Sequence, residues 1–350
     1  MKENHALPVE MSANQGRIFI DAVQLYEAYI VAYRDNRTYR GGMHWKKSKG
    51  RKYLFRSRDR FGYGQSMGPR TPELEKVLED FRRGKQRAKE RLAAIKERLK
   101  EQARYIRAAT IQRVPRIVTG ILRILDQHRL LGRNVTVIGT NAVYAYEAAA
   151  GVFVESPILA TRDMDVLWDV RSRLRLVTAD AQAGTGMLAL LREADRSFEP
   201  MRKQNFRAVN KGGYMVDLVK PEPRDLFTRE QRRMGSKGDL EAAEIRNLQW
   251  LVSAPGFNQV VMGDDGYPAA MACPDPRAFA LHKMWLSDQA DRNPLKKKRD
   301  RQQALAVAYL VSKYLPEYRF TSQELRMFPK DVFTAAAKEL SGQEPPPGFE

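Results

Sequence analysis

Two aspartates one residue apart, at the head of an apolar run, constrain this chain more than any other feature. Asp163-Met164-Asp165 leads straight into Val166-Leu167-Trp168. On a strand, residues i and i+2 point to the same face, so the two carboxylates stand side by side next to a buried run. Two unit charges about 4 Å apart repel by roughly 1 kcal/mol in water and roughly 4 kcal/mol at an effective dielectric of 20. A protonated carboxyl, paired cations or a divalent metal must offset that cost. Arg162 faces the other way on an extended segment and is a poor neutraliser. Oxygen ligands suit Mg²⁺ or Mn²⁺. On its own, the motif fits a solvated pair at a strand edge equally well.

Its surroundings narrow the choice. Asn134 to Ile138 alternates as a strand and ends in Gly139-Thr140-Asn141, after which Ala142 to Ala150 is alanine-rich, helical and closed by Gly151. Glycine lets a backbone approach a phosphate closely, and a helix start presents free N–H groups with the positive end of the dipole. The chain has neither GxGxxG nor GK[ST], so this is not a dinucleotide or P-loop fingerprint. Further on, Asp217 sits alone in Tyr214-Met215-Val216-Asp217-Leu218-Val219. A carboxylate between apolar strand residues needs partners. If its strand lies beside that of Asp163, three carboxylates converge near the glycine turn, the composition of a two-metal phosphoryl-transfer site.

The rest of the chain reads as four regions. Residues 1–70 are aromatic and basic, with a hairpin of Met43 to Lys47 and Lys52 to Arg56 around Ser48-Lys49-Gly50-Arg51. Trp45, Tyr53 and Phe55 lie among Lys46, Lys47, Arg51, Lys52 and Arg56. That mixture fits a surface that stacks bases and grips phosphates, or a small β element with core aromatics and solvated cations. Residues 71–132 form a helical arm. Thr71 caps a helix started by Pro72, with Glu73 and Glu75 in the first turn. Leu74, Val77, Leu78 and Phe81, then Leu92, Ile95, Leu99 and Ile106, make its apolar seam, and Gly84 is a candidate bend. A second helix runs from Pro115 to Leu131 and stops at Gly132.

Residues 133–272 hold the short strands, including a hairpin of Phe206 to Val209 and Tyr214 to Val219. A second pair, Val260 to Met262 and Tyr267 to Cys273, flanks Gly263-Asp264-Asp265-Gly266. Residues 273–350 are helical, from Asp275-Pro276 through Trp285 and from Pro294 through Tyr314. There Lys283 reads as a surface lysine, His282 is structural, and Lys296 to Arg299 is a basic run. Glu147 and Asp169 read as a helix-face charge and a cap.

Small-residue turn, Asp-x-Asp, then a lone Asp on a later strand is an order that resembles the minimal nucleotidyltransferase fold of the DNA polymerase β-like superfamily. More closely, GTNAVYAYEAAAG at Gly139 to Gly151, ATRDMDVLWD at Ala160 to Asp169, YMVDLVKP at Tyr214 to Pro221 and DPRAFALHKMWL at Asp275 to Leu286 resemble a bacterial family of nucleotidyltransferase-fold proteins. The resemblance extends from about Gly42 to Pro316. It implies an α/β (α+β) fold: a palm with a mixed β-sheet, preceded by a basic β-hairpin and helical arm and followed by a helical C-terminal region. It implies NTP as substrate, with Asp163 and Asp165 holding Mg²⁺ or Mn²⁺ and Asp217 completing the site of the metal that activates the acceptor. Gly139, Thr140, Asn141 and Lys283 fall to the nucleotide. The superfamily turn is usually Gly-Gly or Gly-Ser; Thr140 keeps the hydroxyl and adds a methyl. No acceptor follows from the resemblance.

Composition bounds the partners. The net charge of +19 over 350 residues favours polyanions. This tilts the acceptor towards an RNA 3′ end or a protein hydroxyl. Cys273 is the lone cysteine, so no intrachain disulfide forms. Neither a secretory leader nor an apolar stretch of about 18–20 residues is present; the expectation is a cytoplasmic protein with no membrane partner. Two other readings compete: a non-catalytic nucleic-acid-binding protein that kept the fold, and a toxin–antitoxin or phage-defence component that modifies a partner protein.

Overall fold

The computed structural model describes residues 8–58, 63–171, 186–223 and 231–341. Its centre is a six-stranded mixed sheet. Val135–Ile138, Asp163–Trp168, Met215–Pro221, Gln204–Val209 and Glu199–Met201 lie side by side in that order, and Ala243–Ile245 also pairs with Met215–Pro221. Asp163–Trp168 and Met215–Pro221 run parallel; Val135–Ile138 and Gln204–Val209 are antiparallel to them. Met164, Val166 and Trp168 fill one face and Leu167 the other, so only the start of that strand leaves its side chains partly open. The hairpin expected around Asn210 to Gly213 is present, with Met215 opposite Val209. A separate two-stranded sheet, Gly256–Met262 with Pro268–Pro274, matches the second expected pair and extends it.

The aromatic N-terminal region hides a helix that composition masked. Ala13–Thr38 begins with a capping box of Ser12 and Gln15. It packs antiparallel to Pro72–Ala108: Gln102 Nε2 donates to the Ile18 carbonyl near one end, and the Tyr39 ring covers Gly84 near the other. A Cβ at Gly84 would come within 2.4 Å of Tyr39 Oη, so this glycine makes room for a ring in a helix that runs unbroken. Ile18, Phe19, Ala22, Leu25 and Tyr26 bury against Leu92, Ile95, Leu99 and Ile106, the seam read from the sequence. At the turn of this arm sits a three-stranded sheet, Gly42–Ser48, Arg51–Ser57 and Gly64–Pro69. Lys49 and Gly50 both take positive φ, 45° and 78°, as a two-residue hairpin turn requires.

One continuous apolar core runs from Val114 to Leu340 and joins the palm strands to the helices Pro276–Asp288, Pro294–Tyr314 and Lys330–Ser341. The boundary expected at 272/273 lies inside it, within the strand Pro268–Pro274. His282 is buried against Trp250 and Trp285, and burial pushes its pKa down to about 3, so it is a neutral core residue. Among the described residues, no helix is long and apolar enough to cross a membrane.

Candidate active site

Strand register brings the three aspartates to one face. In the parallel pair, Asp217 is the Cα partner of Asp165, and Met215 is the partner of Asp163. From the other side Ile138 pairs with Asp165, which lays the next residue, Gly139, over that carboxylate. A Cβ on Gly139 would come within 2.3 Å of Asp165 Oδ2, and its φ is +68°. Glycine is required there twice, for the left-handed backbone and for the close approach. Gly139→Ala is therefore expected to cost about 1–2 kcal/mol from φ alone and to displace Asp165. A melt matching wild type would show that the turn and the carboxylate are independent.

The charges on this face are unequal. Burial, then Asp163 and Asp217, push the Asp165 carboxyl up to about 6, against the pull of Lys283 and Lys296. Asp217 is buried and clamped by Arg207, whose Nε and Nη2 each donate at 2.6 Å to one carboxylate oxygen. Arg207 is the cross-strand partner of Asp217 on Gln204–Val209. The bond to Asp217 raises the guanidinium pKa, and the charges of Asp163 and Asp165 add to that. Sequence reasoning missed Arg207: a four-residue turn at Asn210 to Gly213 would set Phe206 opposite Asp217, and the observed register, with Met215 opposite Val209, is shifted by one. Among the described residues, no group of three His, Cys, Asp or Glu side chains is arranged to hold a metal ion; Asp217 is committed to Arg207.

The turn after Val135–Ile138 is a 3-10 segment, Gly139–Ala142, that no side chain caps and that runs on into the helix Val143–Ala150. Asn141 Nδ2 donates to the Asp163 carbonyl at 2.7 Å, and Tyr214 Oη donates to the same oxygen at 3.1 Å. These bonds pin the strand start from which Asp163 projects. Thr161 Oγ1 donates to the Asp163 carboxylate. Thr140 is buried, and its hydroxyl accepts from Gln303 Nε2 at 3.0 Å, tying the turn to Pro294–Tyr314.

Lys283 is buried too. Its Nζ donates to Asp300 at 2.7 Å, and Arg292 pairs with the other Asp300 oxygen. Lys283 thus reaches Asp165 as a field, while Lys296 is exposed. Glu147 lies apart, held by Arg113 and the Val154 N–H, and Asp169 pairs with Arg171.

Three carboxylates edged by cations and an uncapped backbone turn suit a ligand that brings both positive and negative charge, such as a metal-chelated polyphosphate. A family model described as nucleotidyltransferase matches residues 116–327, more than half of the chain. The match spans the carboxylate sheet and the two helices carrying Lys283 and Lys296, and it begins after the N-terminal arm. No curated protein and no solved structure matches.

Proposed function

The chain belongs to the nucleotidyltransferase family, and on that premise we propose that it moves a nucleoside monophosphate from an NTP to a hydroxyl acceptor, with pyrophosphate released. The observation that carries this reading is the register setting Asp163, Asp165 and Asp217 on one face beneath Gly139. Mg²⁺ or Mn²⁺ fits Asp163 and Asp165, because the donors are hard oxygens and burial, together with the like charges of Asp163 and Asp217, disfavours an uncompensated Asp165 carboxylate. Such a cation, when bound, lowers the pKa of an attacking hydroxyl and neutralises a leaving pyrophosphate. Asp217 joins those ligands where Arg207 yields it; otherwise the guanidinium itself supplies positive charge at that corner.

The chain's own groups do the positioning. The Gly139 to Asn141 backbone borders the phosphates, Asn141 and Tyr214 hold the Asp163 strand, and Lys296 contributes an exposed cation. Lys283 adds positive potential from within the helix layer. Incubation with each α-labelled NTP, Mg²⁺ or Mn²⁺, and total cellular RNA or lysate tests the reading. Covalent label on a macromolecule is the expected result. No label from any of the four nucleotides, with either metal, would count against it.

A further inference from the structure

We propose that the outer face of the three-stranded sheet binds single-stranded nucleic acid, and that this strand is the acceptor; the acceptor half rests on the transfer reaction proposed above. Register divides the sheet into two faces. Met43, Trp45, Leu54 and Arg56 share one. It turns to the Pro72–Ala108 helix, with Leu54 fully buried and Arg56 over the Phe81 ring at 4.4 Å. His44, Lys46, Tyr53 and Phe55 share the other. There His44 and Phe55 lie 5.8 Å apart, Lys46 Nζ stands 5.3 Å from the Phe55 centroid, and the two rings from the middle strand stay half-exposed.

The charge on this sheet has no internal counterpart. None of its strands contains Asp or Glu. On the outer face Lys46 and Arg51 are diagonal neighbours across the first two strands, beside the rings, and like charges so placed repel. Between Arg37 and Arg70, eleven residues are Lys or Arg against the single Asp59. A polyanion relieves that repulsion, and half-exposed rings among the cations select one whose bases are free to stack.

The three-stranded sheet and the carboxylates belong to separate sheets of the fold. Arg34, near the end of the helix that leads into the sheet, is anchored on Asp126 at 2.7 Å. Asp126 closes the helix Arg116–Gln127, which hands the chain to the Val135 end of its strand; the carboxylates stand at the Ile138 end. For a strand held on the sheet to be the acceptor, one of its ends has to reach the carboxylates.

Two variants test this by fluorescence anisotropy. One replaces Lys46 and Arg51, both exposed on the outer face, with Ala; the other is Tyr53→Leu. The probe is a mixed-sequence single-stranded RNA oligonucleotide, with DNA of the same sequence, the duplex and polyglutamate as competitors. The double variant should bind more weakly, with the slope of log K against log salt reduced by up to about 1.4, at roughly 0.7 per phosphate contact. Tyr53→Leu should weaken binding about tenfold and leave the slope unchanged, since stacking carries no counterion release. NTP affinity should stay constant in both. Wild-type RNA affinity and salt slope in both variants would overturn the proposal. So would polyglutamate or duplex competing as well as the single strand, or a selective loss of NTP affinity. Binding through the sheet without label transfer to the bound strand keeps the surface and removes the acceptor role.

Discussion

Asp165→Asn removes nucleotide transfer, lowering the rate by more than about 100-fold, or about 2.7 kcal/mol of barrier. The substitution keeps the side-chain shape and deletes the charge at the centre of the carboxylate face. The same change raises the stability of the protein in divalent-free buffer at neutral pH. In the folded chain the Asp165 carboxyl is pushed up to about 6 by burial and by Asp163 and Asp217, above the ordinary value of about 3.9. Folding therefore takes up a proton. The stability linked to that uptake is complete below about pH 4 and lost as pH rises through about 6. Asn carries no such load, so the variant should exceed wild type by about 1–2 kcal/mol near pH 7.5, with the gap shrinking near pH 5. Loss of transfer together with a higher melting temperature separates a functional charge from a structural one. Near-normal label transfer by the folded variant would exclude metal-assisted chemistry at this residue.

Asp300→Ala destabilises the fold by about 3–5 kcal/mol, the usual cost of breaking a buried ion pair from one side. Asp300 is fully buried and is the shared partner of Lys283 and Arg292. Burial pushes its carboxyl up, and the two cations outweigh that and hold it below the usual range. Lys283 is held below its ordinary value by burial even with Asp300 in place. Without Asp300 the ammonium has no direct carboxylate partner and sheds its proton or drags water into the helix layer. Denaturant unfolding followed by far-UV circular dichroism gives the difference; a change below about 1 kcal/mol would mean that the layer relaxes around the lysine.

These two residues show what a sequence makes readable. Asp163, Asp165 and Asp217 were legible because strand parity and an acid in an apolar run are local signals, and Gly139 was legible as the turn before a helix. Arg207 was not singled out, because its role depends on which strand lies next to Met215–Pro221 and in which register. The Lys283–Asp300 pair spans two helices separated in sequence, so spacing offers no hint of it. In the N-terminal region the three-stranded sheet showed only its first two strands, because Gly64–Pro69 lacks apolar alternation. The helix Ala13–Thr38 was carried by a capping box and an apolar stripe that the aromatic and basic composition obscured. Its partner seam on Pro72–Ala108 was visible, but not what filled it.

The central claim is that the Asp163, Asp165 and Asp217 face is a cation-holding transfer centre. Electron paramagnetic resonance of Mn²⁺ added to the metal-free protein tests it without any nucleotide or acceptor. Wild type should bind Mn²⁺ in a form that Mg²⁺ displaces, and both Asp163→Asn and Asp165→Asn should lose that binding while melting as folded proteins. Undiminished, Mg²⁺-competable Mn²⁺ binding in both variants would contradict the account.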